Sequence, residues 1–489
     1  MKKQNYQADL KKSFVFNSLY QILRMLVPLV TTPYLSRIIG ADGIGSYAYA
    51  VATASYFMLF IKLGLANYGN RTIAFMRNDR YELSKTFWSV YATQFVLLCI
   101  FLGIYVFYGL AIAEERFYAI LMIPYVASAG MDISWLFWGL EQFKTTAIRD
   151  MIIKIVSTAL VFAFVRQKND TWIYILIISI SYFISQGLLW GMLREHVDWV
   201  RPKKQDVIKH IKPNLILFVP AVAVSLYKVM DKVMLGLLST KVEVGYYQNS
   251  EQIQQLPVAF VDALGTVMLP RIAHICKTSK EADKINHYFR ISVWVNMFLA
   301  TLLCFGVMAV SAEFVPLFYG KGFDKCIQVF DFLLPSCIFM SFASVIRTQY
   351  LIPKEKDKVY TGSLLTGALV NLVMNAVFIP RLQSVGAALG TLAAEASVCL
   401  LQCMAVRKEL PLFQYIKETV PFIAAGIVML TFSRTNIITG SISWLFLLVK
   451  IAVCALVYVV VLLVALTLSG QLRNIQEAIN SMIKGFFKR

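Results

Sequence analysis

The residues of this chain able to do chemistry are charged side chains set inside long apolar runs. Arg24 sits in an apolar run from 14 to 38. At 1.5 Å of rise per residue it falls roughly 16 Å into that run. A charge at such a depth in a bilayer costs at least ~2.5–3.5 kcal/mol and generally faces a cavity. Arginine cannot escape that cost by losing its proton. Two readings stay open: an anion site, or a structural pair with a carboxylate on another helix. Pro28 and Pro33 follow closely and would kink the helix, which suits a moving element. A second group comprises Tyr227, Lys228, Asp231 and Lys232. Spacings of three and four put Lys228 on one face with both Asp231 and Lys232. This group reads either as an internal salt bridge with Lys232 reaching outward, or as a polar patch facing Arg24. One carboxylate cannot neutralise two lysines, and Tyr227 would add a hydroxyl. Glu395, roughly 15 Å into its run, and Asp132 are candidates for binding a coupling proton or sodium ion, or for neutralising a cationic neighbour. Lys450 reads as a lipid-facing lysine whose ammonium reaches the headgroups.

No motif of a soluble enzyme accompanies these residues. The chain has no G-x-x-x-x-G-K-[ST], no H-E-x-x-H and no G-x-S-x-G. The four histidines and eight cysteines form no metal-ligand spacing. The reading is a non-enzyme with no catalytic residues, no metal and no cofactor.

The elements that must position these charges follow from composition. Of 489 residues, 58% are hydrophobic and 15% charged, and the mean hydropathy is +0.64. Soluble domains are closer to 45–50% apolar and about 25% charged. Windows of about 20 apolar residues, enough to cross a ~30 Å hydrocarbon core, fall near 14–38, 44–66, 86–109, 117–140, 147–166, 172–193, 214–238, 246–269, 290–312, 327–350, 359–379, 384–405, 418–433 and 442–468. The thirteenth is the shortest. The fold class is therefore all-α: a polytopic membrane protein of about 14 transmembrane helices. The net charge of +19 would suggest nucleic acid in a soluble protein. Here most Lys and Arg fall on alternate connecting segments, as the positive-inside rule requires with both termini cytoplasmic. Nucleic acid is thus not an expected partner; membrane lipids are. The lysines at 2, 3, 11 and 12 precede a run too long for a signal peptide, which reads as a retained first helix. The inner segments 67–85 and 270–289 mix charged and apolar residues as surface amphipathic helices do.

An internal repeat appears at an offset of 200. Gly45-Ser-Tyr47 matches Gly245-Tyr-Tyr247, and Arg71 matches Arg271. Both copies start on the same side, as in transporters with parallel repeats. The expected organisation is a six-helix lobe over 1–212, a second over 213–410, and two further helices with a cytoplasmic tail over 411–489. Trp88, Trp135, Trp138 and Trp190 read as an interfacial belt, and Gly386-Ala-Ala-Leu-Gly390 as a helix-packing motif.

Four segments together carry a resemblance. They are Asp132-Ile-Ser-Trp-Leu-Phe-Trp-Gly-Leu-Glu-Gln-Phe-Lys144, the run from Pro33 to Ala50, the run from Asp231 through Gly245 to Arg271, and Phe314-Val-Pro-Leu-Phe-Tyr-Gly320. The chain resembles the Wzx-type flippases of polysaccharide repeat units (O-antigen, capsule), within the multidrug/oligosaccharidyl-lipid/polysaccharide exporter (MOP) superfamily. The resemblance implies alternating access between two lobes, and an undecaprenyl-pyrophosphate-linked oligosaccharide as cargo. Arg24 matches the first-helix arginine of the cationic cavities of related flippases, while Lys228 and Lys232 fit the theme without a residue-by-residue match. It also implies a polysaccharide polymerase as a partner in the inner membrane. Cationic side chains in such a cavity suit a pyrophosphate, and Gln94, Asn249, Gln252 and Gln255 would offer hydrogen bonds to sugar hydroxyls. The competing expectations are a multidrug exporter of organic cations, which needs uncompensated acids, a lipid II flippase, and a membrane glycosyltransferase, for which the outer loops are short.

Overall fold

The computed structural model of the protein describes residues 23–278, 282–435 and 440–472. The N-terminal lysines and the start of the first expected span lie outside these residues. The described residues are helical, with no strand among them. Ten helical stretches are long and apolar enough to cross a bilayer, and each coincides with an expected span. The short thirteenth span is among them, as a helix from Leu412 to Arg434. Helices also occupy the other four expected spans where these are described.

The chain divides into two compact units, residues 1–245 and 246–489. In the first, α1 (23–38) leads to α2 (Gly40–Lys62), the short α3 (Leu65–Met76) and α4 (Arg80–Phe107). The fourth span is made of three pieces: α5 (Arg116–Leu121), α6 (Ile123–Met131) and α7 (Ser134–Gly139). Then follow α8 (Phe143–Phe164), α9 (Thr171–Leu193) and α10 (Lys204–Leu238). Small residues decide the packing. Ala50 and Ala54, one turn apart on α2, join Val126 and Ala129 of α6 in a buried cluster, where the lack of bulk lets the backbones approach. The α10 helix packs on α2, α3 and α4, so it belongs to the first compact unit. Helix α3 is amphipathic as expected: Leu65, Tyr68, Gly69 and Ile73 are buried at helical spacing while Phe75 is exposed. Trp135 is buried in the aromatic core under α3, stacked on Phe87. It is a core residue, not the interfacial one its position near a span end suggests.

The second unit contains the rest of α11 (Lys241–Thr278), α12 (Ala282–Phe318), α13 (Lys325–Leu333), α14 (Ser336–Ile346), α15 (Asp357–Leu382), α16 (Ser384–Val406), α17 (Leu412–Arg434) and α18 (Trp444–Leu468). Gly386 and Gly390 face α15: a Cβ at Gly386 would fall 2.5 Å from the Phe378 carbonyl, and one at Gly390 2.1 Å from Asn375 Oδ1. Helices α17 and α18 fasten onto α12 through charges. Arg290 meets Glu418 at 2.6 Å, and Trp294 donates to the same carboxylate at 3.0 Å. Lys450 meets Glu313 at 2.7 Å and is buried. Lys450 therefore does not face lipid; its charge is matched inside the protein. The lipid-facing side of α18 is instead purely apolar, with Leu445, Leu448, Leu456 and Leu463 exposed.

Candidate substrate site

The fourth span is broken where its sequence signature begins. Helix α6 ends at Met131, Asp132 is extended, and α7 starts at Ser134. Asp132 Oδ1 accepts the Ser134 backbone N–H at 3.0 Å, the local bond that lets an Asp compete with helix continuation. A break at membrane depth survives only if the freed carbonyls find donors. Gln94 supplies them, donating from Nε2 to the carbonyls of Ala129 (2.8 Å) and Asp132 (3.0 Å). Trp190 Nε1 donates to the Met131 carbonyl at 2.9 Å, and Trp135 Nε1 donates to Gln94 Oε1 at 3.3 Å. Gln94 is fully buried and its amide is committed to this break, so it is not available to sugar hydroxyls.

The break turns Asp132 toward Lys62 at the end of α2, 2.5 Å away. From there a chain of polar side chains runs across the interior of the first unit. Ser134 Oγ donates to Gln186 Oε1 at 3.5 Å, and Arg149 Nη1 donates to the same oxygen at 3.2 Å. Arg149 pairs with Asp150 at 2.7 Å, and Ser185 Oγ donates to that carboxylate at 3.3 Å. Arg24 is exposed on α1, within electrostatic reach of Lys154 on α8 and of Tyr182 on α9, which Lys62 and Asp150 also reach. Among the described residues this cluster brings four cations, Arg24, Lys62, Arg149 and Lys154, together with two carboxylates, Asp132 and Asp150. Both carboxylates have a cationic partner already. Among the described residues no carboxylate pairs with Arg24 or Lys154. Two like charges held near each other repel, as Arg24 and Lys154 do here.

The other expected site residues fall elsewhere. Asp231 is buried on α10, within electrostatic range of Tyr56 on α2, and Lys232 is half-buried beside it. Tyr227 and Lys228 belong to α10, but their side chains lie outside the described residues. Glu395 is buried on α16 in the second unit, near Cys337 and Cys399. Lys62, Arg149, Asp150 and Lys154 are the members that sequence reading did not single out. Three of them share α8, and a span carrying three charges within six residues was the available signal. Lys62 was masked by its place near the inner end of a span, where a lysine reads as an orientation signal.

A model of the polysaccharide biosynthesis protein family matches residues 10–276. The chain belongs to that family. A putative O-antigen transporter of Escherichia coli (strain K12) is 22% identical over 407 residues, which covers 82% of this chain and 97% of the relative. Among solved structures, the lipid II flippase MurJ in an inward closed conformation matches with a TM-score of 0.75 at 15% identity, over 92% of this chain and 98% of MurJ. An inward-facing multidrug resistance MATE family transporter of the MOP superfamily matches with a TM-score of 0.57 at 12% identity, over 80% and 99% of the two chains. At these identities the structural likenesses establish the fold alone, an all-helical fold like that of those two proteins.

Proposed function

We propose that this protein is a flippase for a lipid-linked oligosaccharide, an undecaprenyl-pyrophosphate-linked repeat unit moved from the inner to the outer leaflet for cell-envelope polysaccharide. The observation that carries the reading is the cation excess inside the first unit, with Arg24 and Lys154 unmatched among the described residues. A pyrophosphate headgroup cannot cross hydrocarbon bare. Arg24 offers it a planar fork of donors and Lys154 a compact point charge. Tyr182 adds a hydroxyl near Arg24, while Asp231 and Lys232 on α10 offer a second polar group for the sugars or the phosphates. Transport then needs no covalent chemistry, only alternating access by rocking of two lobes. The family match and the O-antigen transporter relative support this class of cargo. An exporter of organic cations would be repelled by the same charges.

The protein acts in the inner membrane with both termini cytoplasmic, next to a polysaccharide polymerase that consumes its product. A coupling proton or sodium ion is assigned to Glu395 or Asp132. The test is depletion followed by lipid extraction, with Arg24→Ala and Lys154→Ala as variants. Undecaprenyl-pyrophosphate oligosaccharide accumulates in the inner leaflet, and surface polymer falls at least tenfold in either variant at normal membrane levels of the protein. Accumulated lipid II would mark a peptidoglycan-precursor flippase instead. Unchanged lipid pools with new drug sensitivity would mark a drug exporter.

A further inference from the structure

Charge asymmetry assigns to the outside the end of the first unit where α2 starts and α4 ends. There, two consecutive carboxylates behave differently. Glu114 is exposed and pairs with Lys241 at 3.2 Å. The same ammonium donates to the Gly236 carbonyl at 3.0 Å and lies 3.7 Å over the Tyr49 ring. One lysine thus clasps the loop after α4, the end of α10, and α2. Glu115 turns inward. Its Oε1 accepts the Ser46 hydroxyl at 2.7 Å, while Oε2 is buried with no hydrogen-bond partner, as is Thr53 Oγ1. Both residues line a small cavity with Tyr49, Tyr105, Tyr108 and Tyr118.

A buried carboxylate oxygen with no donor is costly, whereas a carboxylic acid is neutral and brings its own O–H. We propose that Glu115 is a proton-binding site on the outer side, protonated while the Lys241 clasp is closed and deprotonated when it opens. The charged groups facing it are Asp42 of α2, Lys241 of α11, and Glu114 in its own loop; the remaining titratable neighbours are tyrosines. Burial pushes the Glu115 carboxyl up. Ser46 and Lys241 oppose that shift, and Asp42 and Glu114 add to it. The site sits where it can be felt. Ser46 adjoins Gly45, and a Cβ at Gly45 would fall 1.6 Å from the Lys241 carbonyl. Glu115, through Ser46, therefore touches the turn where α2 crosses the first turn of α11. Because its pKa is raised in the closed form, protonation supports closure below that pKa and is lost as pH rises through it. Outer acidity then holds the clasp and outer alkalinity releases it.

The full-length protein in lipid nanodiscs tests this by infrared difference spectroscopy. The wild type shows a protonated-carboxyl band with a midpoint above that of an ordinary glutamate, and Glu115→Gln lacks it. Should Glu115→Gln fail to fold, Ser46→Ala serves: loss of a donor to the carboxylate moves the midpoint further up. The same band in wild type and Glu115→Gln, a midpoint at or below the ordinary value, or no movement in Ser46→Ala overturns the proposal. The transport consequence rests on the flippase reading: polymer export depends on outer pH in the wild type and not in Glu115→Gln. The titration itself needs no cargo, so the two ideas fail separately.

Discussion

The ion pair between Lys62 and Asp132 carries a quantitative prediction, because it lies where a broken helix meets the charged interior. Removing one member of a fully buried pair costs ~3–5 kcal/mol, and removing one of an exposed pair costs ~0.2–1 kcal/mol. The Asp132 side chain is 15% exposed and that of Lys62 35% exposed, so the pair falls between these limits, at about 2 kcal/mol. Asp132→Asn is the clean perturbation. An asparagine oxygen still accepts the Ser134 N–H, so the break between α6 and α7 is kept while Lys62 loses its counter-charge. Lys62→Met removes the other partner, and the double variant removes both. In a thermodynamic cycle read by thermal unfolding in detergent, each single variant loses about 2 kcal/mol and the double variant loses less than the sum, with a coupling of about 1–2 kcal/mol. Additivity within ~0.5 kcal/mol would refute the pair as a stabilising contact. Little loss in Asp132→Asn beside a full loss in Asp132→Ala would show that the backbone break, not the ion pair, is what Asp132 supports.

Two further outcomes follow from the second unit. Lys450→Met alone leaves Glu313 buried without its partner and lowers stability by about 3–5 kcal/mol; pairing it with Glu313→Leu restores most of the loss, as read by unfolding temperature in detergent. Glu409 is drawn down to about 2 by Lys356 first and then by Tyr350, with Lys354 also in reach. A depressed carboxylate stabilises above its ordinary pKa and loses that contribution as pH falls toward the folded value. Stability therefore declines between about pH 4.5 and pH 2. Glu409→Gln flattens that decline, an effect held to about 1 kcal/mol or less by solvent screening.

The class of the protein was legible in its sequence because a bilayer imposes a one-dimensional code. Apolar length records each crossing, and the side on which Lys and Arg collect records orientation. The ten described helices apolar enough to cross a bilayer each fall on an expected span for that reason. The repeat at Gly45 and Gly245 was also visible, and the structure gives it a cause: a Cβ at Gly245 would fall 2.0 Å from the Ala41 carbonyl, so only glycine allows the two helix starts to cross. Deep charges such as Arg24 stood out because nothing local explains them.

Partnership was not legible, because it is set by side chains far apart in the chain. Lys62 and Asp132 are 70 residues apart, and Glu313 and Lys450 are 137 apart. No spacing rule links such pairs, so Lys450 looked lipid-facing and Asp132 stayed open between binding an ion and neutralising a cation. Gln94 looked like a ligand for sugars until the break in the fourth span showed which carbonyls needed its donors. The sequence by itself determined a membrane transporter with cations at depth. Only the tertiary structure decided which of those cations are neutralised and which have no carboxylate partner among the described residues, because neutralisation is a matter of ångströms between helices.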